Sequence, residues 1–186
     1  ITSLTQKTRP PTPITPLKPD PWAAVAVILR LSDAIEVMFV KRRRLKGDPW
    51  SGQVALPGGH FERKDDNTLN CVIREVKEEA GLKLYKNNIF GILDILFPLN
   101  NPQLNVVAYL AMHKNNANVK LGEEISYIFW APLNLLRETK TQVKIYGGDL
   151  KTVKAFCYGQ EIIWGMTAKL IKKIKRLLND FYIKRL

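Results

Sequence analysis

Apolar positions along the chain fall into two rhythms. Trp22 to Leu31 (WAAVAVILRL) is a near-continuous apolar run, the pattern of a strand buried on both faces. Ser32-Asp33 predicts a turn, and Ile35 to Val40 a second strand that closes a hairpin with the first. Gln53 to Leu56 predicts a short strand feeding Pro57-Gly58-Gly59, where glycine permits positive φ and a close backbone approach to a metal. Ile89 to Phe97 and Leu104 to Met112 predict strands joined at Asn100-Asn101-Pro102. Asn115 to Gly122 is a polar loop, and Ile125 to Trp130 a further strand. Beyond Pro132, a short helix is expected over Asn134 to Glu138. Gln142 to Tyr146 and Val153 to Tyr158 predict a strand pair around Gly147-Gly148.

The second rhythm is helical. Leu69, Val72, Ile73 and Val76 recur at helical spacing and predict a helix over Leu69 to Glu79, with Val72 and Val76 turned to the core. Asp65, Asp66, Asn67 and Thr68 are N-cap candidates, and Gly81 stands where a helix C-terminus favours glycine. A last helix is expected from Glu161 to Phe181. Ile163, Met166, Leu170, Ile174, Leu177, Leu178 and Phe181 form its apolar stripe, and Lys169, Lys172, Lys173, Lys175 and Arg176 its basic side. Such a helix can lie on a membrane; docking on the core with a solvated lysine face is the expected case. The order of elements predicts an α/β fold with a mixed sheet. Pro10, Pro11, Pro13, Pro16, Pro19 and Pro21 predict an extended N-terminal segment over 1–21, leaving 22–186 as one domain.

Glu75, Glu78 and Glu79 stand at i, i+3 and i+4, so their carboxylates share one helix face. Like charges at that spacing repel. A divalent cation offsets the repulsion, and Mg2+ prefers a few carboxylate oxygens alongside waters and phosphates. The plain alternative is a solvated acidic face balanced in part by Lys77.

Gly59, Arg74, Glu75, Val76, Glu78, Glu79, Gly81 and Leu82 resemble the Nudix box. Between Gly59 and Arg74 lie 14 residues, 60 to 73, one more than in the standard box, so the acid between them is Asp65 or Asp66. The resemblance extends from about Trp22 to Ala168. It implies an α/β/α sandwich whose loop-helix-loop presents a metal site, and hydrolysis of a nucleoside diphosphate linked to another group. It further implies Glu75 and Glu79 as main Mg2+ ligands, Mn2+ being an alternative, with Glu78 close by, a carbonyl ligand from Gly59, and Arg74 bracing the cluster. The general base is a box glutamate, Glu78 or Glu79, or one from a later loop, where Glu123 and Glu124 stand.

A narrower resemblance bears on substrate. The runs Gly52 to Gly59 (GQVALPGG) and Ile163 to Ala168 (IWGMTA) are similar to those of coenzyme A pyrophosphatases within the Nudix family, which share the extra residue before Arg74. That branch has an arginine where this chain has Asp48, an acid expected to repel the phosphate on the coenzyme A ribose. Arg42, Arg43 and Arg44 end a strand beside the glycine turn, where guanidinium forks could pair with that phosphate or simply face solvent. Trp50 could stack on a base or pack. Deoxynucleoside or nucleoside triphosphates and ADP-ribose are the other expected substrates.

Composition adds limits. The chain has 186 residues, 46% of them hydrophobic, enough for a real core. A net charge of +12 suits an anionic partner or serves solubility. It keeps an RNA-binding or decapping role in view, although no RNA-binding aromatic signature accompanies it and nucleic acid is not the expected partner. A catalytically silent Nudix interaction domain is the third class, against which the complete acid cluster argues. Cys71 and Cys157 lack metal-site spacing and fit a reducing, cytoplasmic setting. No apolar run reaches spanning length, so no membrane partner is expected. A homodimer is left open.

Overall fold

Strand β1 (Trp22–Leu31) divides the fold because alternate side chains enter different cores. The computed structural model describes residues 13–16, 21–48, 50–99, 101–113, 120–144 and 149–183, with side chains to 180. Ala23, Val25, Val27 and Leu29 face one cluster, which the C-terminal helix α2 (Gly165–Ile183) closes with Leu170, Ile171 and Ile174. Ala24, Ala26 and Ile28 face another, which helix α1 (Thr68–Ala80) closes with Leu69, Val72 and Val76. The result is an α/β/α sandwich, the arrangement that a sheet with two apolar faces requires.

The main sheet joins β1 to β2 (Ile35–Arg42), β3 (Val54–Ala55), β4 (Gly58–His60), β5 (Ile89–Leu96), β6 (Asn105–Met112) and β7 (Ile125–Pro132). It is mixed: β1 runs parallel to β6, and the other pairings are antiparallel. The β1–β2 hairpin pairs Leu29 with Val37 through Leu31 with Ile35, while the other end of β1 pairs Ala23 to Val25 with β4 instead. β2 meanwhile bonds β3 and β7. The two strands therefore part company, and the glycine turn enters the opening between them.

Three expectations change in register or type. Beyond Pro132 only Leu133–Leu135 make a helical turn, of the 3-10 kind, and Arg137–Lys144 is strand β8. Its Thr139, Thr141 and Val143 alternate, and β8 pairs residue for residue with β9 (Leu150–Tyr158). The last helix starts later than its apolar stripe suggests. Glu161–Trp164 is strand β10, returning from β9 through Gly159 at φ 58°. Gly165 at φ 64° then separates strand from helix, so Ile163 reaches the core from a strand. The glycine turn itself carries β4. The strands predicted at 142–146 and 153–158 both begin earlier, at Arg137 and Leu150, and residues 145–148 lie outside the described residues, as do 1–12, 17–20, 49, 100, 114–119 and 184–186. Of the proline-rich segment, Ile14 is described: its carbonyl accepts the Thr68 N–H at 2.9 Å.

Candidate active site

Close packing dictates the glycines at the head of the site. A Cβ on Gly58, at φ 148°, would lie 2.2 Å from the Ala24 carbonyl oxygen. On Gly59 it would lie 2.5 Å from the Glu75 carboxylate carbon. Helix α1 then brings the acids to this turn. Asn67 is its N-cap, accepting the Asn70 N–H at 2.9 Å, and Gly81 closes it at φ 64°. Val72 and Val76 are wholly buried. With that face anchored, Glu75 is half-buried, Glu78 exposed and Glu79 buried.

Two arginines divide the three glutamates. Arg74 donates from Nε to Asp65 Oδ1 at 2.7 Å and from Nη2 to Asp65 Oδ2 at 2.9 Å. Its Nη1 reaches Glu75 at 2.8 Å and Glu78 at 2.9 Å, and its Nη2 the His60 carbonyl at 3.1 Å. Asp65, not Asp66, is thus the acid that meets Arg74. Asp66 is left at φ 60° beside the turn. Burial would raise the Asp65 pKa, but hydrogen bonds from Arg74 and the Glu62 N–H hold it below the usual value. The Asp65 hydrogen bonds, joined by the Glu75 charge and opposed by burial, raise that of Arg74.

Glu79 turns the other way. Its Oε2 accepts the Gly58 N–H at 2.9 Å, and its Oε1 lies 3.7 Å from Arg42. Burial pushes its pKa up to about 7 against the pull of that N–H and of Arg42. Burial likewise raises Glu75, against Arg74. Arg42 donates to Asp48 at 3.2 Å and to Glu124 at 2.8 Å. Asp48 also accepts the Trp50 N–H at 2.9 Å. Arg42 and the Trp50 N–H thus hold Asp48 inside the loop, but Arg42 also serves Glu124 and Glu79, so the repulsion expected of Asp48 is reduced only in part. The sequence marks Asp48 only as a departure from the coenzyme A pattern, so its partnership with Arg42 had no sequence signal.

These groups line a cleft of about 520 Å³. Arg42, Trp50, Gly59, Arg74, Glu75, Glu78, Glu79, Glu123 and Glu124 all border it. Trp50 packs against the core, its ring 5.9 Å from that of His60. Arg43 and Arg44 do not border the cleft. Arg43 donates to the Ile125 carbonyl at 3.3 Å, and the Arg44 stem lies against Gly52. On the far wall stand Trp164, Gly165, Met166 and Thr167.

The donors suit a hard cation by kind: three carboxylates and the Gly59 carbonyl are all oxygen. Their arrangement is an ion-paired one. Glu75 and Glu78 rest on Arg74, and Glu79 on Gly58 and Arg42. Among the described residues no three His, Cys, Asp or Glu side chains converge as a ready cage. A cation here would take few protein oxygens, as Mg2+ commonly does.

The NUDIX domain family pattern matches residues 20–147. Mitochondrial coenzyme A diphosphatase NUDT8 of Mus musculus is 29% identical over 171 residues, covering 86% of this chain and 80% of that protein. An uncharacterized Nudix hydrolase, NudL of Pectobacterium atrosepticum, is 24% identical over 181 residues, covering 91% and 89%. The crystal structure of a MutT/nudix family protein from Enterococcus faecalis superposes with a TM-score of 0.64 at 22% identity, covering 89% of this chain and 65% of that one, an agreement in fold.

Proposed function

Because the chain belongs to the NUDIX family, as a Nudix hydrolase of the coenzyme A pyrophosphatase-like kind, we propose that it is a divalent-metal-dependent pyrophosphohydrolase and that coenzyme A heads its nucleotide-linked substrates. One observation carries the substrate reading. The two runs that resemble the coenzyme A branch, 52–59 and 163–168, are far apart in sequence yet border one cleft through Gln53, Leu56, Gly59, Trp164 and Met166. The 29% identity to a coenzyme A diphosphatase supports it.

In this reading Glu75, Glu78, Glu79 and the Gly59 carbonyl hold the cation. When bound, it supplies positive charge that offsets the diphosphate oxygens as charge builds on them. Arg74 positions Glu75 and Glu78, and Asp65 keeps Arg74 in place. Arg42, 3.7 Å from Glu79, adds positive charge toward the diphosphate, and Trp50 borders the same cleft. Water attacks one phosphorus, the bridging P–O bond breaks, and the departing phosphate carries away the bond pair. The attacking water's proton passes to a carboxylate. Glu124, held across the cleft by Arg42, and the box glutamates Glu78 and Glu79 are the candidates. With Glu79 holding the cation, as in this reading, that task falls first to Glu124.

The test incubates the protein with Mg2+ and coenzyme A, dephospho-coenzyme A, ADP-ribose or a nucleoside triphosphate at equal concentration, with products identified by mass spectrometry. Cleavage of coenzyme A to a phosphopantetheine and an adenosine bisphosphate is expected. Failure on all four sinks the hydrolase reading. Cleavage of another substrate with coenzyme A untouched sinks only the substrate.

A further inference from the structure

A second cavity, of about 530 Å³, opens between the β8–β9 hairpin and helix α2 and shares Leu99 and Gly165 with the wall of the first. Its floor is apolar, with buried Phe156 and Ala168. Its rim is basic. Lys140 and Lys154 come from the two strands, and Lys169 and Lys172 from the helix. Glu138 is the one acid among the described residues that line it.

The placement of these lysines costs the fold something. Lys140 and Lys154 are direct partners across β8 and β9, so their side chains stand side by side on one face, where like charges destabilise. Lys169 and Lys172, at i and i+3, share a helix face. Their neighbours are engaged otherwise: Lys173 pairs with Asp94 at 2.7 Å, and Lys175 donates to the Leu136 carbonyl at 2.9 Å. The side-chain ammonium groups of the four rim lysines have no hydrogen-bond or ion-pair partner among the described residues, Glu138 included. An anion of double charge would relieve this repulsion, and an apolar floor under it suits a ligand with a flat or apolar body.

We infer that the lysine-rimmed cavity is a second anion subsite, which takes a phosphomonoester carried by the same nucleotide whose diphosphate lies in the cleft. The inference rests on the nucleotide reading above. It moves the recognition of that phosphate from Arg43 and Arg44, which do not border the cleft, to Lys140, Lys154, Lys169 and Lys172. The shared wall at Leu99 and Gly165 lets one ligand border both cavities.

Calorimetric titration of the full chain tests this without turnover. The probes are adenosine 3′,5′-bisphosphate, adenosine 5′-monophosphate and inorganic phosphate at fixed ionic strength. The chain should bind the bisphosphate about tenfold more tightly than the monophosphate, the scale of one or two added charged hydrogen bonds. The Lys140→Gln/Lys154→Gln protein should lose that preference. Lys144→Gln/Lys151→Gln, equal in charge change on the same strands but outside the cavity lining, should keep it. No preference in the parent chain overturns the inference, as does equal loss in both variants. Inorganic phosphate binding as tightly as the bisphosphate overturns the link to a nucleotide. A preference that depends on Lys140 and Lys154 in a protein that leaves coenzyme A intact would sink the substrate reading alone. Cleavage of coenzyme A with the preference unchanged in the variant would sink the subsite alone.

Discussion

Glu79 and Gly58 lie 21 positions apart, and a backbone N–H of one donates to the carboxylate of the other at 2.9 Å. This bond fastens helix α1 to the glycine turn. Glutamine preserves an acceptor for it but carries no charge. Glu79→Gln should therefore fold normally and lose about a hundredfold or more in kcat, the scale of removing a charge-stabilising group. Turnover near that of the parent, or an unfolded variant by circular dichroism, would contradict the assignment.

The same carboxylate gives a pH signature in the metal-free protein. Its folded-state pKa is raised from 4.5 to about 7. Below the unfolded value the group is neutral in both states and costs nothing. As pH rises between the two values the unfolded chain gives up its proton first, so the native state loses stability. Between pH 5 and 7 the Tm of the chelator-treated parent should fall relative to that of Glu79→Gln. Parallel curves would show that burial of this carboxylate does not govern its titration.

Arg74→Ala should destabilise the fold as well as the site. Asp65, its two-pronged partner, is 3% exposed, and a buried carboxylate left alone costs about 3–5 kcal/mol. Adding Asp65→Asn should recover part of the loss, because the orphaned charge is gone. Urea titration of the single and double variants measures both, and an additive double variant would mean that the pair is not coupled.

Exhaustive EDTA treatment should abolish hydrolysis, and Mg2+ or Mn2+ should restore it. The basis is the oxygen-only donor set of Glu75, Glu78, Glu79 and Gly59. Activity that survives chelation would remove the cation from the reaction.

Leu170→Ala should cost about 2–5 kcal/mol, since Leu170 is 1% exposed in the core that α2 closes. Thermal unfolding measures this. A variant of unchanged stability that no longer binds lipid vesicles would restore the membrane role for this basic helix.

Local periodicity carried much of the architecture. The β1 run is apolar at odd and even positions because both faces are covered, and α1 could be bounded between the cap candidates at 65–68 and Gly81 because capping is chemistry between near neighbours, the structure selecting Asn67 among them. The acids of α1 could likewise be placed on one face from their spacing. Strand β8 and the β10 start of the last segment were less legible. Residues 134–138 and 161–164 suit a helix locally, and only their pairing with β9, together with the Gly165 break, makes strands of 137–144 and 161–164.

By itself, the sequence determined the glycine turn and the acid-bearing helix, since each rests on neighbours a few residues apart, and the pattern they form carried the family resemblance and, through it, the expected sandwich. Tertiary structure decided which arginine serves which acid. Asp48 reads as an unfavourable charge until Arg42 and the Trp50 N–H close on it, and Arg43 and Arg44 read as equals of Arg42 until the strand end turns them from the cleft. It also brought 163–168 to the turn at 52–59 and set Lys140 opposite Lys154 beside α2. These relations depend on side-chain direction at strand ends and on pairing between distant segments, quantities that no local window of residues contains.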